Sequence, residues 1–464
     1  MTMTTEEMGQ ALIRRVRGPV RLLVVAIAAV VLLIPLEMVR SVVSERFHTY
    51  QGVVAEIAGS WSGEQRLAGP ILVVPYRERV EVRDEYVTPG GERKVSHRWQ
   101  TCDRQAVILP ETLNVEGRLE PELRRRGIYE VRVYTSELTL SGAFRDLEAA
   151  IASLVPAERL EVVEWSKAVV AVGLSDPRGI VSVEGFDLGG RAAQARPGTT
   201  LDGTLPTGFH VAVTGLDGGD LEFRLPMVVR GSDSLRLLPL GETTRISLAS
   251  TWPHPSFVGE VLPAEREVTA DGFTAEWTIP LLNRSYPQVW RAGSAVAVDE
   301  IAAGVRLFEP VALYDLVTRA VKYGLLFIVL TFLTLGLVEV VTGARLRLVQ
   351  YLLVGIALAL FFLILIALAE HLGFAVAYLL AASVVVVLNT LYCAAILGRA
   401  GIAAVVGAVL TATYGVLYLI LEAEDFALLG GTALLVVALA TTMWFTRRLR
   451  EEPVPVELQS FSAE

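Results

Sequence analysis

The chain has 464 residues, 53% of them hydrophobic and 20% charged, and a formal net charge of −9. That apolar share is too high for an ordinary soluble protein, and the acidic balance argues against a nucleic-acid partner, which calls for a basic face. The cysteines Cys102 and Cys393 lie in segments of different character, which excludes a disulfide framework and a cysteine-rich metal site.

A helix needs about 20 apolar residues to span a bilayer, because its backbone polar groups must be satisfied within the segment. About six segments pass: Val20–Val39, then Tyr323–Val341, Tyr351–Ala369, Leu372–Leu397, Ile402–Leu421 and Phe426–Phe445. The expected architecture is an α+β membrane protein. Its bundle of about six transmembrane helices has one N-terminal and five C-terminal members, with a large β-rich extracytoplasmic domain inserted between the first and the second. Residues 1–19 form a cytoplasmic N-terminus, 20–39 an anchor and 40–62 a stalk helix. Residues 63–309 form the β-rich periplasmic domain and 310–322 a helix leading into the membrane. The five-helix domain is 323–445, and 446–464 is a cytoplasmic tail. A cleaved signal peptide is the other reading of the first span; its apolar run is long for one and no small-x-small site follows it.

Basic residues near the spans set the orientation. Arg14, Arg15, Arg17 and Arg21 precede the first span; Arg345, Arg347 and Arg399 lie in alternate short loops; Arg447, Arg448 and Arg450 follow the last span. Both termini are then cytoplasmic, and residues from about 40 to 322 are outside. Arg319 and Lys322 are a minor contrary signal.

Beyond the anchor, Val43, Phe47, Tyr50, Val54, Ile57 and Trp61 recur at helical spacing, and Gly63 marks an end. The stripe suits packing along the external domain or a short coiled-coil seam; fewer than three clean heptads favour the former. The external region then reads as β. ILVVPY is a short apolar run, and RVEVRDEYV (Arg79–Val87) alternates, turns at Pro89-Gly90-Gly91 and resumes at KVSHRW, a hairpin signal. Further strands are expected at Ile128–Tyr134, Glu137–Phe144, Gly179–Val183, Phe209–Val213, Leu221–Leu225, Ser234–Leu240, Thr244–Ser250 and Phe273–Ile279, with one helix at Asp146–Leu154. Two β layers with a helix packed on them fit this order.

No zinc-protease, serine-hydrolase, P-loop or dinucleotide signature occurs. His254, held between Pro253 and Pro255, is a candidate base or ligand, or a structural loop residue. Glu422, Glu424 and Asp425 have the oxygen chemistry for Ca²⁺ or Mg²⁺, and a solvated external turn explains them equally well. Within the spans charge is costly. Glu339 is either a proton-binding site or a side chain reaching the interface. Asn389 is expected to hydrogen-bond a neighbouring helix. Glu370 and His371 end the third span. These groups are too peripheral to sketch a transport path, and no cofactor or metal is expected.

RAVKYGLLFIVLTF (Arg319–Phe332), QYLLVGIALALFF (Gln350–Phe362), AEHLGFAVAYLLAAS (Ala369–Ser383) and LEAEDFALLGG (Leu421–Gly431) stand out in the membrane part. QRLAGPILVVPY (Gln65–Tyr76), SDPRGI (Ser175–Ile180), WPHPSFVGEVLP (Trp252–Pro263) and GFTAEW (Gly272–Trp277) stand out in the external part. In these segments, which cover most of the chain in order, it resembles the CreD family, bacterial inner-membrane proteins linked to cell-envelope integrity. LVEVV around Glu339 departs in having less aromatic character, and the tail after Arg450 is short and acidic.

The resemblance implies a role in envelope maintenance under a two-component stress system, and brings no catalytic residues. The first expectation is a non-enzymatic membrane protein whose external domain engages an envelope protein or cell-wall components, with the lipid bilayer as its other partner. A transporter or lipid-handling protein using Glu339, Asn389 and the external acids is the second. An external hydrolase is disfavoured by the missing motifs.

Overall fold

The computed structural model describes residues 26–87, 93–201, 203–307, 313–342, 346–422 and 427–447. They form two compact units, Met1–Thr49 with Val311–Glu464, and Tyr50–Pro310. Helix α1 (Leu33–Trp61) contributes to both. Along it Val43, Phe47, Tyr50, Val54, Ile57 and Trp61 are all at least half-buried, while Ser44, Glu45, Thr49, Gln51 and Glu56 are exposed. The sequence period of 4 and 3 is therefore a real packed face.

The β-rich unit opens with four long strands, β1 (Gln65–Val87), β2 (Arg93–Ile108), β3 (Thr112–Arg126) and β4 (Tyr129–Phe144). After α2 (Leu147–Leu154) come β5 (Leu160–Val163), β6 (Val169–Leu174), β7 (Ile180–Ser182), β8 (Phe186–Leu188), β9 (Arg191–Ala193) and β10 (Ala195–Pro197). Then follow β11 (Gly208–Ala212), β12 (Leu221–Ser232), β13 (Ser234–Leu237), β14 (Thr243–Ser250) and β15 (Pro255–Gly259). Strands β16 (Glu265–Thr269), β17 (Gly272–Pro280), β18 (Val289–Arg291) and β19 (Ala303–Leu307) complete the unit.

One sheet has the order β10-β11-β6-β1-β13-β19-β15, with β2 and β5 also on β1 and β18 on β2; the other runs β16-β17-β14-β3-β4-β12-β8-β9, with β7 on β12. Alternation places Leu113, Val115 and Leu119 of β3, Leu138 and Leu140 of β4, and Ile246 and Leu248 of β14 in one core with Ile71, Leu72 and Val74 of β1. Leu147 and Ile151 of α2 join that core. A smaller core forms where Ile57, with Val53, Val54 and Trp61, meets Val131 and Val133 of β4. The apolar stripe from Tyr50 onward is thus covered by its own chain.

Strand β1 enters the first sheet beside β19, the last strand, with β13 between them: Leu235 is opposite both Gln65 and Val305. The β-rich unit therefore begins and ends at neighbouring positions. Farther along, β1 and β2 pair alone. The last β5 partner of β1 is Glu78, yet β1–β2 pairing continues to Val87 and Arg93.

The helical unit continues with α3 (Leu313–Lys322), α4 (Gly324–Thr342), α5 (Leu348–Leu372), α6 (Phe374–Leu397), α7 (Ala400–Glu422) and α8 (Ala427–Thr446). Among the described residues four helices are long and apolar enough to cross a membrane: the run Ala26–Trp61, α5, α6 and α7. Helix α3 and Gly324–Glu339, bent by 43°, pass together as a fifth, whereas the apolar part of α8, Leu429–Trp444, is shorter. The expected count of six is thus met by four or five helices; the first and last candidate spans are only partly described.

Lipid is written into the exposure pattern. Leu379, Leu391, Val405 and Leu419 face outward, while Tyr378, Asn389 and Tyr414 are buried. Leucines at the start of α1 dock into glycine notches: Leu32, just before it, fills the space a Cβ on Gly355 would occupy, and Leu36 does the same at Gly324. Small residues let helices approach closely where lipid tails supply no net drive to associate.

Candidate functional site

The polar candidates of the helical unit are spread over both ends of the bundle. Phe374 meets Tyr418 and Tyr378 meets Tyr414, so α6 and α7 run antiparallel. Glu370, His371 and Glu422 therefore lie toward one end, near where α5 stops, α6 begins and α7 stops. Glu339, near the last turn of α4, belongs to the other. Its Oε1 accepts the backbone N–H of Leu346 at the start of the next segment, so the buried carboxylate ties a helix end to that segment. Asn389 does not reach across to another helix as expected: its Nδ2 donates to the Val385 carbonyl at 3.0 Å, one turn back. An amide side chain has that acceptor within reach inside its own helix. Glu370 accepts from the Tyr314 hydroxyl at 3.1 Å, joining α5 to α3. His371 and Glu422 are exposed, and Glu424 and Asp425 lie outside the described residues.

Between the two ends sits an aromatic core absent from the sequence expectations. Phe361 packs on Tyr378 and Tyr414, with ring centroids 5.3 and 4.7 Å away, and Phe327 lies 5.0 Å from Tyr414. The Tyr378 hydroxyl donates to the Tyr414 carbonyl at 2.7 Å. This arrangement holds the helices together.

In the β-rich unit His254 is exposed, and its imidazole makes no hydrogen bond or ion pair among the described residues. Its carbonyl accepts from Trp252 Nε1 at 3.1 Å, and the two rings meet edge to face. A catalytic base needs a partner to orient it, and the hydrogen bond made at His254 uses its backbone carbonyl. Among the described residues no group of three or more His, Cys, Asp or Glu has metal-binding geometry.

Two buried polar clusters in this unit are better built. Where α1 meets β1, Gln65 is buried and its Nε2 donates to Ser62 Oγ, the Asp176 carbonyl and the Arg230 carbonyl at 2.7, 2.9 and 3.1 Å. Asp176 accepts from Arg178 Nε and Nη2 at 2.9 and 2.8 Å and from the Gly63 N–H at 3.3 Å. Arg178 Nη1 in turn donates to the Gly59 carbonyl at 2.7 Å, a cation on the open end of α1. The second cluster surrounds Glu78, buried on β1: Arg291 Nη2 is 3.1 Å from Oε2 and Arg104 Nε 3.4 Å from Oε1. Tyr76, two residues back on the same face, has its hydroxyl buried; burial raises its pKa, against the opposing pull of the Arg291 guanidinium.

The sequence profile described as "Inner membrane protein CreD" matches residues 18–450. The chain belongs to the CreD family. The Inner membrane protein CreD of Escherichia coli (strain K12) is 34% identical over 425 residues, 91% of each chain. Among solved structures, an M1 zinc metallopeptidase from Deinococcus radiodurans overlaps 43% of this chain and 42% of its own at 10% identity and a TM-score of 0.20, which carries no argument. Membership in CreD places this chain in an inner-membrane protein family, and it has several helices long and apolar enough to cross a membrane and a β-rich unit.

The segments of the β-rich unit that carry the CreD resemblance build the first cluster: QRLAGP supplies Gln65, and SDPRGI supplies Asp176 and Arg178. The adjacent Arg178 guanidinium, followed by the Gly63 and Arg178 amides, holds the Asp176 carboxyl down at about 2. A depressed carboxylate stabilises the fold above its unfolded pKa of roughly 4, and loses that contribution as pH falls toward the folded value. Asp176→Asn is therefore expected to cost about 2 kcal/mol at pH 7 and progressively less from pH 5 toward pH 2. Protease susceptibility of the two chains against pH checks this; a pH-independent difference would rule it out.

Proposed function

We propose that this CreD-family chain is a non-enzymatic inner-membrane protein that supports cell-envelope integrity or the envelope stress response through contacts of its β-rich unit. In this reading about six helices cross the membrane, both termini are cytoplasmic, and residues from about 40 to 322 face outward to an envelope protein or cell-wall component. The observation that carries it is the dispersal of the chemical candidates. Glu339 ties off a helix end, Glu370 joins two helices, and His254 offers its backbone carbonyl to Trp252. The chain also carries a large β-rich unit, and contact is what such a surface offers.

Complementation of a deletion strain under envelope stress separates this reading from a transporter and from a hydrolase. Glu339→Gln removes a charge while keeping shape, and His254→Asn removes a base. At matched expression both variants should retain most of the restoring activity. Complete loss in the first, with normal membrane insertion, would favour proton-coupled transport; complete loss in the second would favour hydrolysis.

A further inference from the structure

Glu64 lies just ahead of β1, the first strand of the β-rich unit, and β19, the last, ends at Leu307. Between them β13 sets the register: Gln65 is opposite Leu235, and Ser234 is opposite Arg306. Glu64, Ser234 and Arg306 therefore fall in one row where the chain enters and leaves the sheet. Asp233 precedes β13 and takes the left-handed backbone (φ 62°), which Asp and Asn accept more readily than most side chains. Its carbonyl accepts the Leu307 N–H at 2.9 Å.

Two carboxylates meet one guanidinium there. Arg306 Nε donates to Asp233 Oδ2 at 3.0 Å, while its Nη2 stands 4.0 Å from Glu64 Oε1. Arg236 of β13 is 3.9 Å from Glu64 Oε2, so neither cation comes within hydrogen-bond distance of Glu64, whereas the Ser234 hydroxyl donates to it at 3.1 Å. Tyr134 of β4 donates to the Ser234 carbonyl, and burial keeps that phenol neutral. Close acids with so little compensation disfavour double ionisation. Burial, and then the hydrogen bond to the Glu64 carboxyl, raise the Asp233 pKa against the pull of Arg306. A raised carboxyl is one that the folded chain protonates more readily than the unfolded chain does. Stability is then gained as pH falls through the folded value, and the gain is complete below the unfolded pKa of roughly 4. That is the reverse of Asp176. Both side chains are about half-exposed, so solvent protons reach them and screening keeps the effect modest.

We propose that Glu64, Asp233 and Arg306 form a proton-operated clasp between the first and last strands of the β-rich unit. At neutral pH the two carboxylates repel across one guanidinium and the junction is loose. In acid Asp233 takes a proton from solvent and donates it in a hydrogen bond to Glu64, which draws the junction together. This goes beyond the functional reading above and stands without it.

Hydrogen exchange of the full chain in lipid nanodiscs, followed by mass spectrometry at the segment containing Leu307, tests the clasp. Variants are compared at equal pH, so intrinsic exchange rates cancel. Asp233→Asn keeps the backbone preference and fixes the neutral form. At pH 7.5 it should exchange about threefold more slowly than the unaltered chain, and the difference should close as pH falls toward 4. Glu64→Gln should flatten the pH dependence of the unaltered chain. Arg306→Gln removes the charge that opposes protonation, so tightening should begin at a higher pH, a shift that a purely structural arginine would not produce. Exchange in Asp233→Asn that equals or exceeds that of the unaltered chain at pH 7.5, or a difference that does not change with pH, would overturn the proposal.

Discussion

Ile57→Asp is expected to loosen the β-rich unit by more than about 4 kcal/mol. Ile57 is 8% exposed and sits on Val131 and Val133, flanked by Val53, Val54 and Trp61. Removing a buried branched side chain costs roughly 2–5 kcal/mol. A carboxylate left there without a partner adds the cost of desolvating its charge. The neighbourhood supplies little relief: the nearby guanidiniums of Arg124 and Arg230 lie over the Trp61 ring at 4.4 and 4.3 Å. Ser60→Asp is the control. Ser60 is exposed, so its replacement should change stability by less than about 0.5 kcal/mol. Pulse proteolysis of the full chain in detergent measures both, and equal susceptibility would refute the packed-face account of α1.

Periodic signals of this kind were the legible part of the sequence. The 4, 3 spacing from Val43 to Trp61 falls inside one helix, and the alternation in Arg79–Val87 and KVSHRW falls in paired strands. Strand β3 was not legible. Its sequence TLNVEGRLEPELRRR holds Gly117, Pro121 and a run of charges, each a mark against a strand. The structure tolerates Gly117 because the Leu248 and Leu138 side chains fill the space beside it, and Pro121 because β14 pairs with β3 only as far as Leu119. Pro121 lies past that end, where β3 has β4 alone as neighbour and a missing N–H costs nothing on the open side. Lengths were hidden for a related reason. Local reading split Ile128–Tyr134 from Glu137–Phe144, whereas β4 runs unbroken from Tyr129 to Phe144 because β3 and β12 pair with it on both sides.

Site residues were less legible still. Polarity within apolar spans singled out Glu339, Asn389 and Glu370, but only folding decides that their partners are the Leu346 N–H, the Val385 carbonyl and the Tyr314 hydroxyl. Gln65 and Asp176 stand about 110 residues apart in sequence, and no spacing rule joins them. Glu78 carried a faint signal, an acid in phase with Tyr76 and Val80 on an otherwise inward face. Its partner Arg291 comes from β18, which reaches the site because β18 pairs with β2 and β2 with β1.

That partnership gives the other large expected effect. Glu78 is 3% exposed, so its charge is tolerable only through Arg104 and Arg291. Arg291 is the stronger partner: its Nη2 hydrogen-bonds Glu78 Oε2 at 3.1 Å and also the Leu154 carbonyl at 2.9 Å, at the end of α2. Arg104 approaches Oε1 at 3.4 Å without hydrogen-bond geometry. Arg291→Ala should therefore strand a buried carboxylate and release the α2 terminus, at a cost of about 3–5 kcal/mol. Arg104→Ala should cost less, near 1 kcal/mol, since that contact is longer and lacks hydrogen-bond geometry. If the cost of Arg291→Ala is the stranded charge, then removing the charge as well must recover part of it. Glu78→Met with Arg291→Met should accordingly be more stable than Arg291→Met alone, because an apolar pair of similar volume replaces an ion pair at little net cost. Thermal protection of the full chain against protease would rank these variants. A double variant no better than the single one would mean that Arg291 acts through its packing and the Leu154 bond, with Glu78 indifferent to it.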